Sequence, residues 1–306
     1  MEATMGNPGS LSDLSGNRLR SLPALLALFV LMSGGCSMNQ LVVRSSMGLM
    51  EESIRAMHRE TDLELARAAM PANLKMLEGM IEADPGNARL RVHAAEGYYG
   101  YSFAFVEPDD PERAAGLYAR CRDYGAAALA RTGFDHDLTG TPLRELEQAL
   151  QQTDSGQVPA LFWTASCWAK HIDLNRDDPR SIARLGRAAA LMQRVLELDP
   201  DYYHGGPHLF FGVYYGSRPP MLGGDPERSR EHFEAARASS DDRLLLANVL
   251  QAEFLDRQLM DRDAFHERLT GVLDTAVADG PSQLAFINQV ARERARWLLT
   301  HEDEWF

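Results

Sequence analysis

The sequence predicts an all-α chain, a solenoid of antiparallel helix pairs with an internal duplication. Three observations carry that expectation. Apolar residues recur at helical spacing between stops made of proline, glycine and aspartate, and no stretch alternates convincingly at period two. A block of chain repeats after 115 residues without a gap: Asp110-Pro111-Glu112-Arg113 stands against Asp225-Pro226-Glu227-Arg228. Glu82, Asp84, Pro85, His93, Gly97 and Tyr99 stand in the same register against Glu197, Asp199, Pro200, His208, Gly212 and Tyr214. Pro111 and Pro179 are 68 residues apart, twice a 34-residue period, which fits a tetratricopeptide-like array.

In chain order, residues 18–36 read as a secretion signal. Arg18 and Arg20 give a positive flank, Leu22 to Met32 an apolar run too short to span a bilayer, and Ser33-Gly34-Gly35 a small-residue exit. The run stops at Cys36, which resembles the acylated cysteine of a bacterial lipobox, with Ser33 where leucine is usual. Ser37, rather than aspartate, follows, and in such lipoproteins this sorts to the outer membrane. The organisation expected is a signal peptide over 1–35, a lipidated N-terminus and tether over 36–60 with a first helix at Met50 to Met57, and one helical-repeat domain over 61–306.

Within that domain a helix is expected over Leu63 to Ala83, with Leu74, Leu77, Met80 and Ile81 in one stripe and Pro71 starting or kinking it. Asp84-Pro85-Gly86-Asn87 stops it, and helix resumes from Ala88 to about Val106. Asp110 caps the next, to Ala130, before a polar loop over 132–141. Helices follow at Pro142 to Gln152, Pro159 to Leu174, and from Asp178-Pro179 to Asp199-Pro200. The aromatic run from Tyr202, centred on Gly212, reads as one helix that Pro219-Pro220 and Gly223-Gly224 break. Asp225 caps its partner, and Asp241 to Met260, Asp263 to Val277 and Pro281 to Thr300 complete the chain.

A chain of 306 residues with 45% hydrophobic content can bury a substantial core, in one or two domains. Its net charge of −13 argues against nucleic acid, which needs a basic surface. The cysteines Cys36, Cys121 and Cys167 form no C-x-x-C pair. Spacing leaves two readings open for Cys121 and Cys167: buried thiols, or one bridge in an oxidising compartment.

At three places the residues resemble the TRAP-transporter-associated T-component family. Ala94 to Val106 resembles its G-Y-x-x-Y-A-x-A-F-V helix. Leu222-Gly223-Gly224-Asp225 with Phe233-Glu234-Ala235-Ala236 resembles its L-G-G-D…F-E-x-A motif, with Ser229 where alanine is usual. Asn288, Ala291, Ala295, Leu298, Leu299 and the end at Trp305-Phe306 are similar to its terminus. The resemblance implies a periplasmic, lipid-anchored helical protein that forms homotrimers and docks the solute-binding P component of a tripartite ATP-independent periplasmic transporter. It also implies an internal cleft for a small, hydrophobic ligand.

First helices of repeat pairs line the concave face of such arrays. Tyr98, Tyr101, Trp163, Trp168, Phe211 and Tyr215 are therefore candidate cleft residues, against the alternative that they fill the core. Lys170 is a candidate partner for a ligand carboxylate, and His208 a candidate polar contact. No metal is expected: Gly205-Gly206-Pro207 interrupts the helix between His204 and His208, and a third ligand is missing. Gly223-Gly224-Asp225 lacks the Gly-Lys-Ser/Thr ending of a phosphate loop, and Ser166 is not in a nucleophile elbow. The chain thus reads as a non-enzymatic binding protein without a cofactor, in contact with the membrane through its lipid only. The competing expectation is a general envelope protein-assembly scaffold with no small-molecule ligand.

Overall fold

The structure is a computed structural model that describes residues 1–2, 37–276 and 282–306. The signal segment and Cys36 lie outside the described residues, as do the expected ends at Val277 and Pro281. The chain divides into two compact units, 1–48 and 49–306.

The described residues are all-helical, with no strand among them. In order they form α1 (Ser37–His58), α2 (Leu63–Ala83), α3 (Ala88–Tyr101), α4 (Pro111–Arg131), α5 (Leu143–Leu150), α6 (Val158–Asp173) and α7 (Pro179–Ile182). Then come α8 (Leu185–Leu198), α9 (Tyr202–Gly216), α10 (Pro226–Ser239), α11 (Leu246–Gln251), α12 (Arg262–Asp274), α13 (Ala285–Thr300) and α14 (Glu302–Trp305). Short π-helical turns at Ser102–Val106 and Ala252–Asp256 extend α3 and α11.

The caps follow the side chains. Asp62 accepts from the amides of Glu64 and Leu65, and Asn87 from that of Leu90. The duplicated Asp-Pro starts are alike in detail: Asp110 accepts from the Arg113 amide at 3.0 Å and Asp225 from the Arg228 amide at 3.1 Å. Each places proline in the first helical turn, where no N–H is needed.

Glycines fix how the pairs pack. A Cβ on Gly97 would meet Leu74 at 2.8 Å and one on Gly100 would meet Met70, so α3 runs antiparallel to α2. On Gly212 it would meet the Phe233 ring at 2.9 Å and on Gly216 the Ser229 hydroxyl, so α9 runs antiparallel to α10. The repeated glycine therefore makes the same close approach toward different neighbours, the preceding helix in one copy and the following helix in the other.

Several boundaries differ from expectation. Helix begins at Ser37 rather than Met50, whereas α2 has the expected bounds, Leu63–Ala83, and does not start at Pro71. The stretch after Asp178 is two helices, α7 and α8. Asp241 and Asp242 adopt left-handed backbone (φ 51° and 58°), which aspartate tolerates, so helix starts only at Leu246. Tyr203, His204 and Gly205 are left-handed as well, so the regular part of α9 begins beyond them.

Within residues 49–306 the core has two main parts. One gathers α3, α4, α6 and α8 around Tyr98, Leu161, Trp168 and Leu191. The other gathers α11, α12 and α13 with Phe103, Phe105 and Phe233. Cys121 of α4 and Cys167 of α6 are bridged, with Cα atoms 5.7 Å apart and both residues fully buried.

Candidate functional site

The unit of residues 49–306 forms a partly open cavity of about 790 Å³, within the size range of small-molecule sites. Met50, Ile54 and Met57 of α1 and Met70, Leu74 and Leu77 of α2 form one wall. Tyr99 and Phe103, Phe162 and Trp163, and Phe210, Val213 and Tyr214 bring aromatic surface from α3, α6 and α9. Leu246, Leu250, Phe254 and Phe286 close it from the C-terminal helices. Most of the lining is aliphatic or aromatic, so the space favours apolar matter over water.

One stretch of wall is strained. Tyr203 (φ 51°), His204 (φ 62°) and Gly205 (φ 79°) turn left-handed at the head of α9, a conformation that costs about 1–2 kcal/mol at each non-glycine residue. The Tyr203 ring makes compensating contacts, edge-on to Trp163 at 4.9 Å and tilted against Phe162 at 5.7 Å.

The Tyr203 hydroxyl donates to Glu96 at 3.0 Å. His58 Nε2 lies 3.1 Å from the same carboxylate. His93 Nδ1, at 3.6 Å, is beyond hydrogen-bond reach and has no other hydrogen-bond partner. Burial pushes the Glu96 carboxyl up, but the two imidazoles beside it outweigh that and hold it low, at about 2. Tyr203 is raised well above its ordinary range, first by burial and then by Glu96. A carboxylate, two imidazoles and a phenol thus form one polar corner of a mostly apolar chamber.

A second polar corner sits on α6. Lys170 Nζ pairs with Glu107 at 2.7 Å and lies 3.5 Å from Asp173. Glu107 also accepts from the Tyr118 hydroxyl at 2.6 Å and lies 3.8 Å from Arg294, whose guanidinium grips Glu253 with two bonds of 2.7 Å. Burial pushes Lys170 down, and its carboxylate partners more than restore it, so it stays charged. Tyr99 and Ser166 also line the cavity, and burial pushes the Tyr99 phenol up to about 12.

Among the residues singled out from the sequence, Trp163 and Lys170 line the cavity. Tyr98 lies on another face of α3, donating to Glu78 at 2.6 Å and accepting from Arg120. Tyr101 packs against Phe105, and Trp168 is buried in the core. His208 meets His232, with Nδ1 atoms 3.0 Å apart, while Phe211 and Tyr215 stack on that His232 ring. The cavity-lining aromatics of the same helices are sequence neighbours of these: Tyr99, Phe210 and Tyr214. A signal for two of them exists, because Tyr99 and Tyr214 are an identical pair in the 115-residue register. Glu96 and Tyr203 carry no such mark; only the left-handed turn brings them together.

Among the described residues no cluster of three or more histidine, cysteine or acidic side chains is arranged to hold a metal ion. No helix among them is long and apolar enough to cross a membrane.

A family model described as TRAP transporter T-component matches residues 59–306. A protein of Treponema pallidum (strain Nichols), described as an uncharacterized protein, is 24% identical over 271 residues, covering 82% of this chain and 83% of its own.

Proposed function

This chain belongs to the TRAP transporter T-component family, and from that premise we propose that it is the non-enzymatic accessory component of a tripartite ATP-independent periplasmic uptake system, holding a small apolar ligand in the cavity of residues 49–306. The observation that carries the reading is the cavity itself: about 790 Å³ of mostly apolar space with two polar corners, at Glu96 and at Lys170. A ligand with an apolar body and one polar group matches that lining, because apolar area supplies affinity and the few buried polar groups supply orientation.

In this reading Cys36 carries the lipid, the residues from there to 48 tether the body, and the protein faces the periplasm from the outer membrane. The disulfide between Cys121 and Cys167 suits an oxidising compartment. The antiparallel pairs α2–α3 and α9–α10 support a tetratricopeptide-like array as the plan of the body. The solute-binding P component is the expected protein partner, and a homotrimer the expected assembly.

Native mass spectrometry of the protein, purified gently from its own organism, tests this. A trimer with a small apolar adduct that a Val213→Trp substitution in the cavity wall expels is the expected result. A ligand-free protein that retains an envelope-assembly protein would overturn it in favour of a scaffold.

A further inference from the structure

The cavity has an apolar rim. Ile182 of α7 and Leu222, in the turn between α9 and α10, both line it while remaining 48% and 66% exposed. Met221, beside Leu222, is 89% exposed. Apolar side chains exposed singly are ordinary, but grouped at the mouth of a cavity they mark an interaction surface. In a chain whose net charge is −13, the segment that carries Ile182 is locally basic. From Asp173 to Arg187 four arginines stand against three aspartates, and in the turn after α9 Arg218 is balanced by Asp225, leaving this side positive by one. Arg176 and Arg180 pair with Asp173 and Asp178, but Arg180 is 87% exposed and an exposed pair is weak, so its guanidinium can turn to an anionic surface.

We propose that this rim is a lipid-docking surface: Ile182, Met221 and Leu222 enter the interface of an anionic bilayer while Arg180, Arg184 and Arg218 meet its headgroups. Apolar side chains at the tip with arginines behind them are the arrangement by which peripheral segments lie on anionic membranes. Because Ile182 and Leu222 belong to both the rim and the lining, docking joins the acyl region to the cavity without exposing an apolar ligand to water. The inference rests on the cavity being a ligand chamber.

An environment-sensitive fluorescent amino acid in place of Met221, in the full chain, reads it directly. Vesicles of phosphatidylcholine, with and without phosphatidylglycerol, are added, and a second chain carries the probe in place of exposed Glu147. The expected result is a blue shift at position 221, quenched by doxyl-labelled lipid, with anionic vesicles only, and no change at position 147. Arg180→Glu with Arg184→Glu should weaken that response many-fold, since each cation near an anionic surface is worth about 1 kcal/mol, roughly fivefold. No shift with either vesicle overturns the proposal, as does a shift that appears only when a solute-binding protein is added. Binding of a fluorescent apolar probe in solution, without vesicles, reports separately on the chamber.

Discussion

Tyr203 donates a 3.0 Å hydrogen bond to Glu96, a residue 107 positions earlier, and so ties the left-handed turn at the head of α9 to α3 across the cavity wall. The link joins the most strained backbone in the site to its one carboxylate held far below the usual range. Tyr203→Phe removes the bond and keeps the ring contacts with Phe162 and Trp163. Hydrogen bonds to charged groups are worth about 1.5–3 kcal/mol, and Tyr203 as a whole is 39% exposed, so a loss of about 1 kcal/mol is expected. In a chain of this size that lowers the Tm by roughly 2–4 °C. An unchanged Tm would remove the bond from the account of the turn.

Acid should weaken the fold in two steps. Burial, then the neighbouring His208 and Arg228, push His232 down to about 4, and burial lowers His208 as well. The unfolded chain therefore binds these protons more tightly, and stability falls as pH drops from about 6.5 toward 4. Glu96, held at about 2, adds stability that is present above its unfolded value of 4.5 and is lost as pH falls from there toward 2. Thermal melts between pH 8 and 3 of the protein and of His232→Gln would separate the steps: the variant should flatten the first and leave the second.

How much of this was readable in the chain depends on which interaction sets each feature. Caps and stops are local, so Asp110-Pro111, Asp225-Pro226 and Asp84-Pro85 mark helix ends correctly from the sequence. The face that a helix turns to the cavity is a tertiary property, decided by where its glycines let a neighbour approach. Gly97 turns α3 toward α2 while Gly212 turns α9 toward α10, so the rule that first helices of repeat pairs line the concave face points to Tyr98 and Phe211 where Tyr99 and Phe210 line the space. The turn at Tyr203 is beyond local rules, because two non-glycine residues adopt a backbone held by distant contacts with Phe162, Trp163 and Glu96.

The bridge between Cys121 and Cys167 closes a separation of 46 residues. Loop-closure entropy sets an upper estimate of about 4 kcal/mol for such a bridge. Peptide mapping without reductant should recover the two cysteines linked. Cys121→Ser with Cys167→Ser should lower the Tm by several degrees, and an alkylating reagent should find two reactive thiols in the denatured, unreduced protein only if the bridge does not form.

The glycines allow a paired test. Ala at Gly212 would press its Cβ on the Phe233 ring at 2.9 Å, in a core with no room to yield, so Gly212→Ala should cost about 1–3 kcal/mol. Gly116 and Gly271 also lie inside helices but have nothing within 4 Å of a Cβ. Gly116→Ala and Gly271→Ala should each stabilise by up to about 1 kcal/mol through helix propensity. Urea unfolding of the three variants reads both signs, and a stabilising Gly212→Ala would contradict the close packing of α9 on α10.

Arg294 offers the sharpest test of the charged network. Its guanidinium bonds both oxygens of Glu253 at 2.7 Å and lies over the Phe103 ring at 5.1 Å, connecting α13 to the π-helical turn after α11 and to the cavity wall. Its side chain is 16% exposed and that of Glu253 9%, so neither charge is well served by water. Arg294→Leu leaves Glu253 without its partner and should cost about 3–5 kcal/mol, because an uncompensated buried charge is worse than no charge. Glu253→Gln added to Arg294→Leu removes that charge and should recover a large part of the loss. Glu107, 3.8 Å from Arg294, has Lys170 at 2.7 Å as its nearer partner, so the part of the loss that Glu253→Gln recovers is assigned to Glu253 and the remainder includes Glu107. A double-mutant cycle with strictly additive losses would show that the two side chains do not act as a pair.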